Sequence, residues 1–106
     1  MTINVHKGKG GYGIYFTNRT DGIYVSKLDK GSEAEQAGVQ PQDRLVCVQD
    51  NNRKFPLENP GMPVNVDGGN YHEILHLVRN MNYCKMMFVS VGMQKFLEAN
   101  EENEDL

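Results

Sequence analysis

Ile3 and Val5 alternate with polar neighbours, the two-residue period of a half-buried strand, which ends at His6 and Lys7. A second strand is predicted over Ile14–Thr17, where Ile, Tyr, Phe and Thr are the β-branched and aromatic types that fit a pleated surface. Asn18–Gly22 carries turn chemistry, and Ile23–Leu28 reads as a third strand that closes an antiparallel hairpin with the second. Asp29-Lys30-Gly31 turns the chain again. Ser32 can then cap a short helix with Glu33 and Glu35 in its first turn and Gly38 at its end. Arg44–Gln49 follows as a fourth strand and Arg53–Phe55 as a short fifth. Between Pro56 and Gly69 three prolines and three glycines exclude helix and central strand, so a long surface loop is expected. Asn70 is placed to cap a helix over Tyr71–Asn80, because Tyr71, Ile74, Leu75 and Val78 fall at i, i+3, i+4 and i+7. Cys84–Val91 is the last strand; Gly92 breaks it, and Met93, Phe96 and Leu97 fit one amphipathic turn before an acidic end.

This order, β-β-β-α-β-β-α-β, predicts an α+β fold that is mainly β: a partly open antiparallel barrel or sandwich of five to six strands with two helices. A length of 106 residues suits one domain over residues 1–92 with an acidic tail over 93–106. Hydrophobic content of 39% and charged content of 24% are those of an ordinary globular chain, and no apolar run is long enough to span a bilayer. Met1–Lys7 lacks the apolar core of a signal peptide. Cys47 and Cys84 lie in apolar runs and read as buried reduced thiols, which points to a cytoplasmic protein. The net charge of −3 is unevenly spread: Glu98, Glu101, Glu102, Glu104 and Asp105 crowd the end and leave the rest slightly basic. No concentrated basic face marks a nucleic-acid binder.

The most informative stretch is Gly10-Gly11-Tyr12-Gly13 followed by Ile14-Tyr15-Phe16. Closely spaced glycines can turn successive N–H groups into one anion-binding concavity, and the strand behind them offers a row of backbone groups. Together these suit a peptide with a free carboxylate, docked as an added strand. Gly8–Gly13 also matches G-x-G-x-x-G, but the dinucleotide version needs a helix next and the kinase version needs downstream motifs that are missing. A glycine-rich hairpin without a ligand is the plain alternative.

The chain resembles a PDZ domain from about Ile3 to Val91. Gly11-Tyr12-Gly13-Ile14 stands where that family has its G-L-G-F loop. Gly22–Ser26 resembles its third strand, Gly31–Gly38 its P-G-S-P-A-x-x-A-G segment, and Gln42-Asp43-Arg44-Leu45 its fourth-strand entry. Gln49-Asp50-Asn51 departs from the family's V-N-G turn, and the Pro56–Gly69 loop is longer than usual. The chain holds little besides this domain, as in small single-PDZ proteins. The resemblance implies a non-enzymatic adaptor without a cofactor, whose partners are the C-terminal tails of receptors, channels or signalling proteins. It implies no nucleic acid and no membrane insertion, with contact to the inner face of the plasma membrane only through partners.

It also implies the site. Tyr12, Gly13 and Ile14 would bind the ligand carboxylate through their N–H groups, with Lys7 or Lys9 as the supporting cation. Tyr12, Ile14, Phe16, Leu75 and Val78 would line a pocket for a terminal Leu, Val or Ile; Phe16, Leu75 and Val78 also suit plain core packing. Tyr15 and Thr17 would pair with the peptide backbone, and Ser26 would touch it from the next strand. Tyr71 would set the preference two residues before the ligand's end, favouring Asp or Glu, with an apolar residue as the alternative. Asn103-Glu104-Asp105-Leu106 itself has the X-[Asp/Glu]-X-Φ pattern, so head-to-tail self-association through Leu106 is an expectation, against a solvated acidic tail. His72-Glu73-Ile74-Leu75-His76 is a literal H-E-x-x-H, the zinc-protease signature. No third ligand accompanies it in the sequence, so surface histidines are the expected reading and a zinc hydrolase the competing one.

Overall fold

A computed structural model describes residues 1–51, 64–66 and 69–104. Among these it contains six strands and three helices: β1 (Thr2–His6), β2 (Ile14–Arg19), β3 (Gly22–Leu28), α1 (Glu33–Ala37), β4 (Arg44–Asp50), β5 (Val64–Asn65), α2 (Tyr71–Asn80), β6 (Tyr83–Val89) and α3 (Val91–Glu104). The fold is α+β and mainly β, with every strand pair antiparallel.

The strands lie in the order β1-β6-β4-β3-β2, with β5 on β4. The first residues of β4 pair with β3 (Leu45 with Ile23) and its later ones with β5 (Val48 with Val64). One strand thus serves two neighbours in succession. The apolar alternation built the core as expected: Val5, Ile23, Val25, Leu45, Val48, Cys84, Met86 and Phe88 are buried, with Ala34 from α1 and Ile74 and Val78 from α2. Burying the Val, Leu, Ile, Met and Phe side chains among them supplies about 1.5–3 kcal/mol each.

Local signals explain the helix ends. Ser32 caps α1 by accepting from the Glu35 N–H at 3.2 Å, and Gly38, at φ +101°, closes it by donating to the Ala34 and Glu35 carbonyls. Asn70 does stand before α2, but it does not cap the helix with its side chain; its Nδ2 donates to the Asn65 carbonyl at 2.9 Å and ties α2 to β5. At the far end of β1, His6 stacks on Tyr83 with centroids 4.1 Å apart and reaches Glu33 of α1 at 3.2 Å.

Three expectations are corrected. Val64–Asn65 is a strand inside the stretch expected as loop, because β4 offers it an unpaired edge. The last strand ends at Val89, not Val91, because Ser90 starts a helix: its Oγ accepts from the Met93 N–H at 3.2 Å and its carbonyl from Gln94 at 2.9 Å. That helix, α3, runs fourteen residues where one turn was expected, with Gly92 inside it, and so crosses the boundary drawn at residue 92. Asn103 and Glu104 are therefore helical, while Asp105 and Leu106 lie outside the described residues. So do Arg53–Phe55 and most of the Pro56–Gly69 stretch. Cys84 is buried, Cys47 only half-buried, and neither is in a disulfide. No described helix is long and apolar enough to cross a membrane.

Candidate functional groove

Among the described residues β2 is an edge strand, paired with β3 on one side only. The carbonyl of Tyr15 faces β3, where it accepts from Ser26 Oγ at 3.0 Å. Successive residues of a strand turn their backbone groups to opposite sides, so Ile14 and Phe16 present theirs to the open edge. This reassigns the backbone pairing expected of Tyr15 and Thr17. The irregularity in the hairpin lies on β3, between Val25 and Lys27, and leaves the alternation along β2 intact.

The loop before β2 is folded by its glycines. Gly8 and Gly11 exchange backbone bonds at 2.8 and 3.2 Å, with Gly11 at φ +99° and Gly13 at φ +77°. The Gly13 carbonyl is turned away to accept from the Asp29 N–H at 2.8 Å. The N–H groups of Tyr12 and Gly13 donate to no backbone carbonyl among the described residues. Buried or half-enclosed N–H groups need a partner, and an anion is a suitable one.

Between this loop, β2 and α2 lies a cavity of about 410 Å³ lined by Lys7, Gly10–Phe16, Tyr71, Leu75, Val78 and Arg79. It brings together Tyr12, Gly13, Ile14, Phe16, Lys7, Tyr71, Leu75 and Val78 from opposite ends of the sequence. Thr17, Ser26 and Lys9 do not line it. Tyr15 is an exposed part of its lining, with Lys27 Nζ 4.5 Å from the ring centroid, and Asp29 raises its hydroxyl above the ordinary tyrosine value. A larger hollow of about 540 Å³, bounded by Met1, Met87 and Met93, includes no lysine or arginine and no residue of β2.

Tyr12 does more than line the cavity. Its hydroxyl donates to the carbonyls of Val78, at 3.1 Å, and Met81, at the end of α2. Lys7 Nζ donates to the Arg79 carbonyl, and the Lys7 N–H to Asn82 at 2.8 Å. The last carbonyls of a helix have no partner within it and carry its negative pole, so a hydroxyl and an ammonium satisfy them well. The glycine loop is thereby fastened to α2, which fixes the width of the groove at its closed end. Burial raises the Tyr12 hydroxyl well above the ordinary tyrosine range, so it stays a donor.

Arg79 was missed in the sequence reading. It stands four residues after Leu75 and eight after Tyr71, on the groove side of α2, and that spacing was the available signal. His72 and His76 are exposed on α2; His76 Nε2 lies 3.3 Å from the Asn80 amide. Among the described residues no group of three His, Cys, Asp or Glu side chains can hold a metal. No protein-family model matches the chain, and no curated protein matches it.

Proposed function

We propose that the chain is a non-catalytic peptide-binding module of the PDZ kind, which takes the free C-terminus of a partner protein as an added strand between β2 and α2. The observation that carries this reading is a strand that, among the described residues, has one open edge facing an apolar cavity and follows a glycine loop with two unclaimed N–H groups. A terminal carboxylate fits the loop, and its charge-assisted bonds are stronger than neutral ones. A Leu, Val or Ile side chain fits the space between Ile14, Phe16, Leu75 and Val78. Two residues earlier the ligand meets Tyr71, whose hydroxyl makes no hydrogen bond among the described residues and is free to donate to Asp or Glu.

A groove of this size buries little surface, so affinities are micromolar, about −8 kcal/mol. The partners are tails of receptors, channels or signalling proteins. A synthetic free-acid peptide ending Asn-Glu-Asp-Leu is a ready probe of the preference. Added to labelled protein, it should move the amide resonances of residues 11–16 and 71–79. Shifts confined to the face formed by Met1, Met87 and Met93 would refute the reading.

A further inference from the structure

We propose that Arg79 is the side chain that senses the charge of the ligand's end, and that Lys7 is a positioning residue; this rests on the groove reading above. Both cations line the same end of the cavity, but they are placed differently. The Lys7 ammonium is occupied on the Arg79 carbonyl, at the negative pole of α2. The Arg79 guanidinium is exposed and makes no hydrogen bond, ion pair or ring contact among the described residues. Arg19 shows the contrast: it donates to Gln42 and lies 4.4 Å from the centre of the Tyr24 ring.

The backbone from which Arg79 projects is held on three sides. Tyr12 binds the carbonyls of Val78 and Met81, and Lys7 binds that of Arg79 itself. The planar fork of a guanidinium matches a carboxylate with two parallel bonds, and here no partner among the described residues competes for it. An ammonium already committed to a helix end offers a weaker and less directional attraction. Arg79 therefore supplies the side-chain part of the charge discrimination, and Lys7 ties the loop to the end of the helix beside the cavity that both cations line. The ligand class implied is a peptide ending in a free carboxylate, with no requirement for a second anion.

The test is a titration of free-acid and amidated Asn-Glu-Asp-Leu peptides into the wild-type chain, Arg79→Gln, Arg79→Lys and Lys7→Met, at low and moderate salt. Circular dichroism checks that each variant is folded. The wild type should prefer the acid by more than about tenfold, the scale of a hydrogen bond to a charged group. R79Q should lower that ratio several-fold and reduce its salt dependence, leaving the part owed to the loop N–H groups, R79K should keep more of it, and K7M should weaken both peptides together. An R79Q protein that keeps the full acid preference overturns the proposal, as does loss of the preference in K7M alone. Equal binding of acid and amide by the wild type sinks the groove reading itself, a distinguishable outcome.

Discussion

Gly13 has a positive φ of +77°, and a Cβ placed on it would come 2.7 Å from the Ser32 Cβ, inside any real contact. Gly13→Ala should therefore cost about 1–3 kcal/mol of stability, measured by urea unfolding, because both the backbone angle and the approach to α1 are violated. Cys84 sets a pH dependence. Burial pushes its thiol up from an ordinary 9.0 to about 11, against a smaller opposite pull from the Tyr12 hydroxyl. The unfolded thiol ionises first, so this contribution is complete below pH 9 and disappears as pH rises toward 11. The fall amounts to roughly 2–3 kcal/mol, and Tyr12, also raised, extends it above pH 10. Equilibrium unfolding at pH 8, 9.5 and 11 should show the decline, and Cys84→Ala should make it shallower. At this scale residue types are legible but destinations are not: the hydroxyl bonds that Tyr12 makes to the end of α2 span 66 and 69 positions of the chain.

Among the elements, the strands and α2 were legible because burial imposes their period directly on the sequence. Val5, Cys84, Met86 and Phe88 alternate with exposed neighbours, and Ile74 and Val78 recur at helical spacing. β5 was not legible, since two residues carry no period and its pairing is fixed by β4. α3 was underestimated for a different reason. Its large apolar residues Met93, Phe96 and Leu97 stay exposed, so no burial pattern announced it. Its residues are instead good helix formers behind a serine cap. Ser90→Ala should cost about 1 kcal/mol, seen as faster amide exchange in the first turn of α3 while β4 and β6 stay protected. Equal acceleration throughout the sheet would show that the cap supports more than its own helix.

At the scale of the whole molecule, the groove joins residues 7–16 to residues 71–79, and its meaning comes from what each side leaves unsatisfied. Among the described residues β2 leaves one edge unpaired, the glycine loop leaves two N–H groups, and α2 contributes an apolar wall ending in a cation. The sequence suggested the first two through the glycines and the aromatic run behind them; the third needed α2 to be set against the loop before Arg79 came into view. The most direct check compares one peptide with its last carboxyl group free and the same peptide amidated, titrated side by side into the wild-type protein. The account predicts micromolar binding of the free acid and at least a tenfold loss on amidation. Equal affinity for the two forms would contradict it.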